Sequence, residues 1–208
     1  MKRLILLLVA AVVLLGATPN TRLAYIEQYA PLAVSEMQRT GVPASITLAQ
    51  ALVESGAGSS PLARHANNHF GIKCHNDWTG EKYYKDDDLV HECFRAFPSV
   101  EESFRAHSDF LRGRAHYRSL FELDPTDYKG WAHGLKQAGY ATDPRYADKL
   151  IKLIEELQLY RYDTLALAGE PDAEQEPIPE PEPEPEAKLD PLTPPAGYSE
   201  SVVIKMDN

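Results

Sequence analysis

The chain of 208 residues holds only two cysteines, too few for a small scaffold built on disulfides. Its one long apolar run, Leu4 to Leu15, is too short to cross a hydrocarbon core of roughly 30 Å, which argues against a multi-span membrane protein. No Gly-X-Y period or sustained heptad is present, so collagen and coiled-coil readings fall away. The domain also lacks an excess of positive charge. Residues 163–208 carry 12 of the 31 acidic residues and 2 of the 21 basic ones, which leaves residues 1–162 balanced. Without a basic stripe, nucleic acid is not an expected partner.

What is present divides into three parts. Met1-Lys2-Arg3 is a short positive segment, the run Leu4 to Leu15 follows it, and Leu15-Gly16-Ala17 offers small residues for cleavage. This is the layout of a signal peptide over residues 1–17, and it implies export to the periplasm, cell envelope or medium. No cysteine lies there to carry a lipid, so no stable membrane anchor is expected. Residues 21–162 read as one folded domain, expected to be monomeric. Residues 163–208 hold 9 of the 16 prolines and alternate Pro with Glu between Glu174 and Glu186, a composition expected to stay disordered and extended.

Inside the domain, apolar residues at helical spacing predict helices over 21–40, with Ile26, Ala30, Ala33 and Met37 on one face, and over 44–55. A short helical turn is expected over 60–65. Lys82-Tyr83-Tyr84 and Cys93-Phe94-Arg95-Ala96-Phe97 are β-prone, and they predict a hairpin with Asp86-Asp87-Asp88 between its strands. In an oxidising compartment Cys74 and Cys93 can pair and staple it. Ser99-Val100-Glu101-Glu102 has the form of a capping box, ahead of a helix to about Arg112. Asp124-Pro125-Thr126 is expected to open the next helix, which ends at Gly139. Thr142-Asp143-Pro144 is expected to cap the last one, with Pro144 at its first position. The fold class is therefore mainly α, of the α+β type.

One carboxylate stands out. Glu54 ends a helix that is otherwise apolar, and apolar neighbours disfavour the charged form, as a general acid requires. The bland reading of the same pattern is a solvated helix-terminal glutamate. The histidines His65, His69, His75 and His91 fit no closed metal-site spacing, so neither metal nor cofactor is expected.

Four segments carry a resemblance. Ala49-Gln50-Ala51-Leu52-Val53-Glu54-Ser55-Gly56, Asn67-Asn68-His69-Phe70-Gly71, Cys93 to Ser103, and Gly139-Tyr140-Ala141-Thr142-Asp143-Pro144-Arg145-Tyr146 resemble glycoside hydrolase family 73 in composition and order. These are bacterial endo-β-N-acetylglucosaminidases that cut peptidoglycan. The resemblance implies a lysozyme-like helical domain with a small β-hairpin lobe, and glycan strands as partner. It assigns the general acid to Glu54, which would protonate the oxygen between N-acetylglucosamine and N-acetylmuramic acid. A second carboxylate is expected from the hairpin, in the order Asp88, Glu92, Glu81, with Asp86 and Asp87 also in reach. Tyr140 is a further catalytic candidate. Tyr146, Asn68 and Trp78 are candidates for holding the sugar, against structural readings as core, turn and packing residues. Retaining, inverting and substrate-assisted routes all stay open. So do two other readings: lytic transglycosylase-type cleavage, and a non-catalytic wall-binding module.

Overall fold

The computed structural model describes residues 19–75, 78–85 and 91–169. The expected leader, the Asp86-Asp87-Asp88 run and the Pro/Glu segment lie outside the described residues. Helix α1 (Pro19–Thr40) buries Tyr25, Ile26, Ala30, Ala33 and Met37 along one stripe and stops at Gly41, whose N–H reaches the Met37 carbonyl at 2.8 Å. Helix α2 (Ala44–Ser55) is the hub, packed by α1 and by later helices. Every residue from Ala44 to Leu52 is buried, because small and apolar side chains surround the helix on all sides. Helix α3 (Pro61–Ala66) follows, capped by the Ser60 hydroxyl.

Strands β1 (Lys82–Lys85) and β2 (Glu92–Arg95) form the expected antiparallel hairpin, in the register Lys82 to Arg95 and Lys85 to Glu92. Its base is tied three times. Cys74 is disulfide-bonded to Cys93, the Cys74 N–H meets the Cys93 carbonyl at 2.8 Å, and the Arg95 N–H meets the Ile72 carbonyl at 2.9 Å. Phe94 packs with Leu62 and Ala66 in a small second core under the hairpin.

Helix α4 (Val100–Gly113) begins where Ser99 accepts from the Glu102 N–H, as the sequence predicts. The starts of the next two helices differ from expectation. After a 3-10 helix (Ala115–Glu122), α5 (Tyr128–Gln137) is capped by Asp127, while Asp124 closes a separate turn on Thr126. Helix α6 (Tyr146–Glu156) starts after Asp143 has accepted from the Arg145 N–H at 2.8 Å. Both upstream aspartates spend their side chains on Asx turns, which hold the following residues outside the helix.

The largest departure is at the end of the domain. Helix α7 (Arg161–Ala168) carries the fold past Tyr162, and Asp163 is fully buried. The N-cap position of α2 is Pro43, which has no side-chain cap to offer. The Asp163 carboxylate supplies one from across the domain: it accepts from the Ser45 N–H at 2.8 Å and from the Ser45 hydroxyl at 2.6 Å. Orphan N–H groups at a buried helix start need such a partner, and the helix dipole favours an anion there. Asp163→Ala should therefore lower the unfolding free energy by about 1–3 kcal/mol. Denaturant titration measures this, and an unchanged midpoint would contradict the assignment.

Two histidines are buried as neutral rings. His107 lies flat on Phe70 with centroids 4.1 Å apart, and His69 sits beside Tyr25 and Tyr29. Desolvation lowers His107 from 6.5 to about 3 and His69 to about 4. The unfolded chain therefore takes up these two protons first, and stability falls as pH drops from about 6.5 towards 4. Burial acts on Asp163 in the opposite sense, raising it from 3.8 to about 6. Its contribution is present below 3.8 and lost as pH rises through about 6, one group against two. Thermal melts should show a lower Tm at about pH 5 than at about pH 7, and a smaller drop in His107→Gln. A level or rising Tm on acidification would contradict this balance.

Candidate active site

Glu54 lies in the last turn of α2, directly before Ser55, and the chain then turns away through three left-handed residues, Gly56, Ala57 and Gly58. Ser55 fastens that turn. Its hydroxyl donates to the Ala51 carbonyl at 2.6 Å and accepts from the Gly58 N–H at 2.7 Å. Gly58 has φ +76, and a Cβ there would meet the Tyr25 ring at 3.1 Å, so glycine fits both the torsion and the close approach. Glu54 is half-buried, and its Oε1 has no contact with solvent.

Two tyrosines feel the charge of this carboxylate. Tyr140 follows α5 and Tyr146 opens α6; both are fully buried, with rings stacked at 5.6 Å. Burial raises both phenols well above their usual range. The Glu54 charge adds to this at Tyr140, and at Tyr146 the neighbouring Tyr140 and then Glu54 do so. Both therefore stay protonated and able to donate. The Tyr140 hydroxyl has no hydrogen-bond partner among the described residues. That of Tyr146 accepts from Gln50 Nε2 at 2.8 Å, and Gln50 Oε1 faces His107 Nε2 at 2.9 Å. Gln50 and Glu54 are four residues apart on α2, and so lie on one face of the helix.

The remaining candidates are distributed differently. Asn68 is buried and spends its side chain on the backbone: Nδ2 donates to the carbonyls of Ile72 and Arg95, and Oδ1 accepts from the Ile72 N–H. That arrangement matches the turn reading and leaves the amide no spare donor for a sugar. Trp78 packs on Phe97, lies 4.7 Å from the Arg95 guanidinium and donates to the Glu81 carbonyl. Glu92, on β2, accepts from Lys73 Nζ at 3.0 Å, and its side chain is 13% exposed. Glu81 is exposed, and Asp88 lies outside the described residues. Among the described residues no three His, Cys, Asp or Glu side chains converge to hold a metal.

Gln50 and His107 escape sequence reading, since their role depends on contacts between helices. A lone amide one turn before Glu54 in an apolar helix was the available signal for Gln50.

Residues 30–159 match the family model described as mannosyl-glycoprotein endo-beta-N-acetylglucosaminidase. The peptidoglycan hydrolase FlgJ of Vibrio cholerae is 31% identical over 156 residues, which covers 68% of this chain and 46% of that protein. Exo-glucosaminidase LytG of Bacillus subtilis is 37% identical over 130 residues, covering 57% and 45%. The chain thus spans about half the length of these curated relatives. Among solved structures, the catalytic domain of the autolysin Auto from Listeria monocytogenes aligns with a TM-score of 0.59 at 28% identity, over 72% of this chain and 91% of that one. The glycoside hydrolase domain of FlgJ from Salmonella typhimurium aligns at 0.58 and 27% identity, over 71% and 94%. A helical domain with one small hairpin, a glutamate at the end of its hub helix and a family match across both make this chain a member of the glucosaminidase family of glycoside hydrolases.

Proposed function

We propose that this chain cuts peptidoglycan glycan strands at the β-1,4 bond between N-acetylglucosamine and N-acetylmuramic acid, with Glu54 as general acid. The observation that carries the reading is the placement of Glu54, half-buried at the end of a buried helix beside two phenols that stay protonated. A carboxylic acid in such a setting can hold a proton until the glycosidic oxygen takes it. The names of the relatives, peptidoglycan hydrolase and exo-glucosaminidase, support a wall glycan as substrate.

In the mechanism, Glu54 protonates the leaving oxygen while positive charge builds at the anomeric carbon. The Tyr140 hydroxyl, with no partner among the described residues, is the donor available to an acetamido oxygen or to the carboxylate left behind. The second carboxylate comes from the hairpin, and Asp88 leads because Glu92 is already engaged by Lys73. Residues 1–17 support export, and the Cys74–Cys93 disulfide suits an oxidising envelope compartment.

Glu54→Gln should slow clearing of purified cell walls by about 10²- to 10⁴-fold with the fold intact. Mass spectrometry of the wild-type digest should show new reducing N-acetylglucosamine ends. Clearing by the variant at the parental rate would remove Glu54 from the reaction, and 1,6-anhydromuramyl ends would make the enzyme a lytic transglycosylase instead.

A further inference from the structure

We propose that His107, acting through Gln50, is a positioning residue that aims the hydroxyl hydrogen of Tyr146 at Glu54. The inference rests on Glu54 being the acid, and it concerns residues that do not touch the sugar. His107 on α4, Gln50 on α2 and Tyr146 on α6 form an unbroken buried chain, 2.9 Å and then 2.8 Å between heavy atoms. All three are at most 1% exposed, so water does not compete for these bonds.

Such a chain has two possible polarities. In one, His107 Nε2–H donates to the Gln50 carbonyl, the Gln50 amide donates to the Tyr146 oxygen, and the Tyr146 hydrogen is left to point elsewhere. In the other, the amide is reversed: Tyr146 spends its hydrogen on Gln50, Gln50 donates to His107 Nε2, and the ring proton moves to Nδ1. The surroundings of His107 choose between them. Its Nδ1 is buried with no partner among the described residues. A buried N–H left unsatisfied costs more than a buried lone pair, so the proton belongs on Nε2 and the first polarity holds. His107 has no charge of its own to contribute, because burial keeps the ring neutral.

The titratable groups acting on Tyr146 are Tyr140 from the turn before α6, Tyr117 from the 3-10 helix and Glu54 from α2. Both neighbouring phenols are neutral, since burial raises them too. Glu54 is then the carboxyl of the group, one helical turn beyond Gln50 on the same face of α2, and the freed hydroxyl hydrogen is directed to it. The consequence for catalysis is specific. A donor aimed at Glu54 favours the carboxylate, and thus eases departure of the proton as the glycosidic bond breaks.

The test compares His107→Met, which keeps the bulk and loses the donor, with His107→Gln, whose amide nitrogen can stand where Nε2 stands. In His107→Met, Gln50 can reverse and capture the Tyr146 hydrogen. Its kcat should fall about tenfold with KM within about twofold, and the alkaline limb of the pH–rate profile should move up by about one unit. His107→Gln should recover most of the rate and restore the limb. Tyr146→Phe should reproduce the His107→Met profile, and the double variant should be no worse than either single one. Full activity with an unmoved limb in His107→Met or, should that variant fail to fold, in Tyr146→Phe would overturn the proposal. So would a folded His107→Gln as impaired as His107→Met. These outcomes separate from failure of the acid assignment, which Glu54→Gln tests alone: an inactive Glu54→Gln beside an unaffected His107→Met removes the relay and leaves the acid in place.

Discussion

A helix buried on every side has to be satisfied at both ends, and α2 meets that demand in two different ways. At its start, a carboxylate from the last helix takes the N–H and hydroxyl of Ser45, so the charge complements the dipole. At its finish a carboxylate of its own, Glu54, stands where the dipole is negative and the neighbours are phenols. Burial pushes the Asp163 carboxyl up, and its bonds to Ser45 draw it part of the way back toward the ordinary range. One helix thus holds a structural anion at one end and a candidate proton donor at the other, which makes its exact seating the condition for everything near the site.

The hairpin is fastened in its own way. Its base is fixed to residues 72–74 by the disulfide and by backbone bonds, and Asn68 ties Ile72 to Arg95 with both of its side-chain groups. The loop before the hairpin and its second strand are therefore linked through one buried amide. Lys73 neutralises Glu92 in the same region. That bond ties the loop at Lys73 to strand β2.

How far the sequence could be read follows from the range of the interactions. Helices α1, α2 and α4 and the hairpin were legible because periodicity, Ser99 and the two cysteines are local signals. The starts of α5 and α6 were not, since an aspartate before a proline caps a helix or closes an Asx turn with the same residues. Glu54, Tyr140 and Tyr146 stood out through motifs. Asp163 did not: its partner Ser45 lies 118 residues away, and its own surroundings merge with an acidic, proline-rich segment. His107 looked like one polar residue on an amphipathic helix, and only the crossing of α2, α4 and α6 gives it a partner.

The most direct measurement of the central claim is a crystal structure of the Glu54→Gln protein holding an oligosaccharide of alternating N-acetylglucosamine and N-acetylmuramic acid. The expected result places a glycosidic oxygen within hydrogen-bond distance of the residue 54 side chain, with the Tyr140 hydroxyl in contact with the same sugar. A strand seated away from the end of α2, with residue 54 touching no sugar atom, would contradict it.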